Sequence, residues 1–378
     1  MFELTEDQQA MVEMVRDFAA TAIAPHAAKW DETKHFPVDV LREAGTLGMG
    51  GIYVREEFGG SGLSRTDAAL IFEELSKADP TIAAYISIHN MVVWMIDAFG
   101  NDEQRAQWVP QLASMEALGS YCLTEPGAGS DAAALSTRAV LDGDHYVLNG
   151  TKQFISGAGV SSVYVVMART ADTGSQGITA IVVPADAPGM SFGPNEKKMG
   201  WNAQPTRQVI FEDVRVPVAN RLGEEGSGFG IAMKGLNGGR VNMGACSLGG
   251  GQAALEKSVA YLKSRSAFGG PLINQQSLLF DIADMDTELE TARTLILRAA
   301  DALDRGAPDT VRLCAMAKRV ATDAGFNVAN KAIQLHGGYG YLSEYGLEKI
   351  ARDLRVHQIL EGSNEIMRLI VGRLAVGA

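Results

Sequence analysis

The sequence predicts an α+β protein, mostly α, with helices and strands in separate blocks. Three observations carry this. Apolar residues recur at helical spacing up to about residue 116, the period changes to two near Gly119, and the helical period returns at Gly228 and persists. Helices, then strands, then helices is a pattern of separate packed units, unlike an alternating βαβ sheet. The expected units are 1–116 (helical), 117–221 (β) and 222–378 (helical).

In the first block, Thr5 and Gln8 form a capping box, after which Met11, Val15, Phe18 and Ala22 share one face as far as Pro25. Pro37 marks a second helix start, followed by Val40, Leu41, Ala44 and Leu47, with Gly48 as the stop. Residues 57–62 form a glycine loop. Ser64 opens a helix through Ile71, Phe72 and Leu75. A longer apolar helix covers about 81–99 and a short polar one about 103–112. In the strand block, 139–141 and 145–148 flank Asp142-Gly143, which predicts a hairpin with a type I′ turn. Asn149-Gly150 predicts a second such turn leading into 153–155. Further strands are expected at 163–167, 178–183 and 208–211. The last block predicts long helices over about 228–264, 275–304 and 308–336, and shorter ones over 344–352 and 364–375. Their short connections suggest a bundle.

With 46% hydrophobic and 21% charged residues, the 378-residue chain is globular and can bury a sizeable core. A net charge of −12 argues against nucleic acid or an anionic membrane surface as partner. Cys122, Cys246 and Cys314 are odd in number and without paired spacing, which fits reduced thiols and neither a disulfide framework nor a metal site. The N-terminal residues lack a charged-then-apolar leader, and no apolar run is expected to span a bilayer. The expectation is therefore a cytoplasmic, bacterial protein. Walker A, G-x-G-x-x-G after a strand, H-E-x-x-H and G-x-S-x-G are all missing, so nucleotide hydrolysis, Rossmann, zinc-hydrolase and serine-hydrolase readings have no support.

Several stretches remain chemically suggestive, each with a plain structural alternative. Tyr121-Cys122-Leu123-Thr124 leads into small residues at 127–130, whose amides can form an anion-binding nest; an ordinary Gly/Ser loop is the alternative. Phe154 could pack on a flat ring with Ser156 at its edge, or simply belong to a strand. Asn237-Gly238-Gly239-Arg240 interrupts a helical pattern, either for a ligand near the backbone or for a kink or close packing. His336 is a ligand or a satisfied interior histidine. Glu361 follows an apolar pair and precedes Gly362, where the chain can turn sharply, and Ser363, which can cap a last helix. It is a plausible base or a solvated carboxylate.

Taken together, YCLTEPGAGSD (121–131), FIS (154–156), R-x-x-FG (265–269), QLHGGYGY (334–341) and LEGSNEIMR (360–368) resemble the acyl-CoA dehydrogenase family of flavoproteins, in the family's order and spacing over nearly the whole length. FPVDVLREAGTLG, AYISIHNM, GWNAQPTR and LNGGR resemble the members acting on isobutyryl-CoA. The resemblance implies an N-terminal helical domain, a middle β-barrel-like domain and a C-terminal four-helix bundle. It implies FAD, held by Tyr121, Cys122, Leu123, Thr124, Gly129, Ser130, Phe154, Ile155, Ser156, Ser363, Asn364 and Glu365. Arg265, Phe268, Gln275, Gln276, Gln334, Leu335, His336, Gly337 and Gly338 would meet the FAD of an adjacent subunit in a homotetramer. Ser130, Asn237, Gly238, Gly239, Arg240 and Arg373 would line the acyl-CoA site.

The implied reaction is α,β-dehydrogenation of a short branched acyl-CoA, with Glu361 as α-proton base, hydride transfer to flavin N5, and an electron-transferring flavoprotein as acceptor. The Glu361 N–H would bond the thioester oxygen. Some members carry the base near position 239, where this chain has Gly239. The missing side chains at 238 and 239 are expected to leave room for an α-methyl branch. Competing readings are another short-chain specificity (2-methylbutyryl- or butyryl-CoA), an acyl-CoA oxidase, and a non-catalytic helical interaction protein that kept the fold.

Overall fold

Helix starts written into the sequence organise the first block of the computed structural model, which describes residues 4–377. Its helices are α1 (Glu6–Phe18), α2 (Ala27–Thr33), α3 (Val38–Thr46), α4 (Arg65–Ala78), α5 (Pro80–Phe99) and α6 (Asp102–Ala113). Capping boxes start α1 at Thr5/Gln8, α4 at Ser64/Asp67 and α6 at Asn101/Gln104, each satisfying two backbone donors that the first turn leaves over. After Phe18 the first helix widens into a π turn, Ala19–Ile23, which carries Ala19 and Ile23 into the core. α5 is long and apolar enough to cross a bilayer, contrary to expectation. Most of it is buried between its neighbours, which explains its composition.

The middle block is one sheet of eight strands: β1 (Gly119–Cys122), β2 (Arg138–Asp142), β3 (His145–Ser156), β4 (Val163–Arg169), β5 (Ile178–Pro184), β6 (Met190–Phe192), β7 (Thr206–Pro217) and β8 (Arg221–Leu222). Its order is β6-β7-β3-β2-β4-β5-β8, with β1 parallel to β4. β4 and β5 are buried on both faces. Val163, Val165 and Met167 pack towards α5 and α6, while Tyr164, Val166 and Ala168 pack towards β3 and β7. Two turn expectations fail. The loop between β2 and β3 is Gly143-Asp144, and only Gly143 has positive φ (64°), so it is not type I′, which needs both. Asn149-Gly150 forms no turn. β3 runs straight through, with register shifts after Leu148 and after Lys152, because Gly150 at φ 146° is absorbed as a bulge.

The last block packs α7 (Gly228–Ser264), α8 (Gln276–Asp304) and α9 (Thr310–Leu335), with α10 (Leu347–Arg355) and α11 (Asn364–Val376) against α9. α7 is central, touching α4, α5, α8 and α9. The Asn237–Arg240 stretch lies within it without ending the helix.

All three blocks meet at one buried ionic cluster. Lys349 on α10 donates to Asp79 Oδ1 (2.8 Å), at the start of α5, and to Asp353 Oδ2 (2.7 Å). Asp353 Oδ1 accepts from the backbone N–H of Trp201 (2.6 Å), in the loop before β7. Both carboxylates are fully buried. Lys349→Met would strand two carboxylates away from water and should cost about 3–5 kcal/mol. Urea unfolding followed by circular dichroism checks this; a change under 1 kcal/mol would mean the cluster holds nothing together.

Candidate active site

After α10 the chain makes a 3₁₀ turn (Val356–Gln358) and then reverses at Glu361 and Gly362, with φ 55° and 90°, into α11. A left-handed glutamate costs roughly 1–2 kcal/mol, so something must hold it. Arg240 Nε donates to the Glu361 carbonyl (3.2 Å). Lys318 Nζ on α9 donates to the Gly362 carbonyl (2.9 Å) and to Asn364 Oδ1 (3.0 Å). Asn364 in turn donates to Thr322 (3.0 Å) and Asp323 (2.7 Å). Ser363 is the N-cap residue of α11, but its side chain makes no cap bond; Asn364 and Lys318 do the anchoring. Upstream, buried His357 is tied to Ser247 on α7 (2.7 Å) and meets Trp201 edge-on.

The Glu361 side chain points inward. Its Oε2 is buried with no partner. Burial pushes the carboxyl up to about 7, against the charges of Lys318 and Arg240, which lower it. Neither cation bonds the carboxylate; both bond carbonyl oxygens of the turn. The Tyr121 hydroxyl is likewise buried without a partner, close enough to Glu361 that the carboxylate charge adds to the burial raising its pKa. The backbone N–H of Glu361 donates to no acceptor among the described residues.

Gly238 and Gly239 of α7 have separate reasons. A Cβ on Gly239 would lie 2.5 Å from Glu361 Oε2, and one on Gly238 would lie 2.6 Å from Arg65 Nη1. The expectation that both leave space for a branch of a ligand is corrected: their space is filled by Glu361 and Arg65. Asn237 accepts from Arg240 (2.8 Å).

Other expected residues form two further groups. On the sheet, Phe154 is held at φ 60° by the second irregularity in β3, and its ring stands 63% exposed. Ile155 is buried and Ser156 half-buried beside it. The facing loop is tied to β3 by Gln153 N–H to the Thr124 carbonyl (2.8 Å) and by the buried pair Lys152–Glu125 (2.7 Å). Burial alone would raise Glu125, but Lys152 and the amides of Ser136 and Thr137 hold it down at about 2. Beyond it Gly129 and Ser130 are exposed, and a Cβ at Gly127 or Gly129 would meet nothing, leaving an open cradle; Cys122 and Leu123 are buried beneath. In the third group, Arg265, Leu335, His336, Gly337 and Gly338 line one surface pocket with Tyr261 and Tyr339. Gln275, Gln276, Phe268 and Gln334 lie in the neighbouring segments, Phe268 90% exposed. Arg373 is exposed in the last turn of α11, and Glu365 is exposed in its first.

Sequence reasoning missed Lys318, Tyr53, Arg65 and Asn242. Lys318 had a signal: it stands four residues after Cys314 and three before Ala321, on the buried stripe of α9. Tyr53 and Asn242, joined by a 3.2 Å hydrogen bond between loop and α7, had none.

Three domain families match in series: acyl-CoA dehydrogenase N-terminal domain over 5–116, middle domain over 120–214 and C-terminal domain over 226–375. The mitochondrial isobutyryl-CoA dehydrogenase of Bos taurus is 54% identical over 370 residues, 98% of this chain and 89% of its own. Butyryl-CoA dehydrogenase from Megasphaera elsdenii superposes with a TM-score of 0.97 at 38% identity, both chains fully covered. A glutaryl-CoA dehydrogenase from Mycobacterium smegmatis in complex with FADH2 superposes with a TM-score of 0.94 at 29% identity, covering 99% of this chain and 96% of the other.

The carboxyl of Glu361 titrates at about 7 when folded and near 4.5 when unfolded, so between those values the folded state holds the extra proton. Stability should therefore fall as pH rises through that window. Glu361→Gln should flatten the fall, by about 3 kcal/mol between its ends. Lys318→Met removes a cation that lowers Glu361, so the midpoint seen by carboxyl ¹³C NMR should move above 7; a move downward would refute the assignment.

Proposed function

The chain belongs to the acyl-CoA dehydrogenase family, and from that premise we propose that it removes the α-proton and β-hydride of a short, α-branched acyl-CoA. Isobutyryl-CoA is the favoured substrate and methacrylyl-CoA the product, a step suited to valine breakdown. The supporting observation is Glu361: a carboxylate with its Oε2 buried and unpaired, on a turn braced by two cations, titrating at about 7. A base is most effective with a pKa near working pH.

The enzyme is an FAD-dependent oxidoreductase, and the residues present fit that cofactor: the exposed ring of Phe154, the open cradle at Gly127 and Gly129, and the hydroxyls of Thr124 and Ser156 beside them. Bound FAD supplies the hydride acceptor. Everything else falls to this chain. Glu361 takes the α-proton through Oε2. The unengaged Glu361 N–H is free to donate to the thioester oxygen as enolate charge gathers there. Arg240 orients the turn through its bond to the Glu361 carbonyl. Burial of the carboxyl holds its pKa up, against the two nearby cations.

The exposed Phe268 and the pocket of Arg265, His336 and Gly338 suit a second copy of the chain, within a homotetramer. Reoxidation then falls to an electron-transferring flavoprotein.

The test mixes the yellow protein anaerobically with a panel of acyl-CoAs and follows flavin bleaching. Isobutyryl-CoA should bleach fastest, at a rate per substrate concentration that rises with pH to about 7 and then levels, since Glu361 must be ionised. Glu361→Gln should slow bleaching by about 10²–10⁴-fold or more while retaining FAD. Gly239→Thr should displace the carboxylate and slow isobutyryl- and butyryl-CoA alike. Bleaching by Glu361→Gln at the parent rate would remove Glu361 as base.

A further inference from the structure

Arg65 opens α4 and sends its guanidinium inward, where burial works against its charge. The planar head lies 3.4 Å from the ring centroid of Tyr53 and 4.9 Å from that of Trp94. It forms no ion pair among the described residues. The acid in reach, Asp304, accepts instead from the backbone N–H groups of Arg65 and Thr66. A cation drawn in from water without a carboxylate is expensive to keep, and stacking on two aromatic rings offsets part of that cost. The rings and the nearby Asp304 favour the charge, but no carboxylate among the described residues is bonded to it.

Its position gives it a use. Gly238 and Gly239 are consecutive on α7; the first lacks a side chain where Arg65 lies, the second where Glu361 lies. One turn on, Asn242 donates to Tyr53, the ring that carries the guanidinium. Arg65, Tyr53 and Trp94 therefore stand as a wall beside Glu361, whose charge acts on the Tyr53 hydroxyl.

We propose that this wall, with Arg65 at its centre, ends the acyl pocket and sets its length. Resting on the reading of Glu361 as base, it makes Arg65 a specificity-determining residue. A short branched chain stops before the guanidinium. A longer one would press methylenes against a poorly hydrated cation and displace it from its rings.

The experiment measures anaerobic flavin bleaching by isobutyryl-, butyryl-, hexanoyl-, octanoyl- and glutaryl-CoA for the parent, Arg65→Ala and Arg65→Met, with flavin content and melting temperature recorded for each. Arg65→Ala should raise the hexanoyl-to-isobutyryl ratio of second-order bleaching rates at least tenfold. Arg65→Met, which keeps length but loses the planar charged head, should raise it less. If the alanine variant loses its flavin, the methionine variant decides alone. Ratios within twofold of the parent in a flavin-loaded variant overturn the proposal and leave Glu361 as base intact. Preference of the parent for glutaryl-CoA, lost on replacing Arg65, would overturn it differently, by making Arg65 a carboxylate's counter-ion. A parent bleached by no short acyl-CoA would sink the functional reading itself.

Discussion

The site depends on one packing relation: the Glu361 carboxylate fits against α7 because residue 239 has no side chain. Any larger residue there would occupy the carboxylate's space. The left-handed turn at Glu361 and Gly362 aims the side chain at that notch, and Arg240 and Lys318 hold the turn by its carbonyls. A helix glycine, a strained turn and two buried cations thus become one device. None of the four explains itself: the glycines weaken a helix, the turn costs backbone energy, and the cations are withdrawn from water.

Where the cations spend their hydrogen bonds decides the chemistry. A lysine or arginine bonded to the carboxylate would hold it ionised and occupied, as Lys152 holds Glu125 at about 2. Arg240 and Lys318 bond the adjacent main chain instead, so they act on Glu361 through space and only temper the effect of burial. Two glutamates of one chain are thus pushed in opposite directions, one held down at about 2 and the other raised to about 7. The paired one fixes a loop; the unpaired one can exchange a proton near neutrality.

Much of this was legible in the sequence. The block order followed from a change of hydrophobic period, and the helix starts from Thr5 and Ser64, because caps act within three residues, and from Pro37, whose ring suits a helix start. Glu361 stood out through its neighbours. What failed needed partners distant in sequence. Asn149-Gly150 has the composition of a turn, yet pairing with β7 on both sides carries the strand through it. Gly238 and Gly239 announced that something approaches α7, but their guests come from residues 65 and 361, which local spacing does not reveal. Lys318 is a lysine at a core position, and only the carbonyl it meets across the bundle gives it a reason.

The proposed base and the sheet proposed to hold the flavin belong to different blocks, and this constrains the whole architecture. Glu361 follows α10, whereas Phe154 and the loop at Thr124 belong to the β block, so the gap between them is set by how the blocks dock. Trp201 makes that joint. Its N–H is held by Asp353 of α10, and its ring packs on His357, four residues before the base and bonded to α7 through Ser247. The same Asp353 is fixed by Lys349 to Asp79 at the start of α5. A proton and a hydride leave neighbouring carbons, so an error of 1 Å between their two acceptors would cost much of the rate. Burying ionic groups at a domain junction is a poor way to gain stability, since desolvation consumes most of what pairing returns. It is a good way to admit one docking geometry, because any slip leaves a charge unpaired, and a fixed separation of base and ring is what the proposed reaction requires.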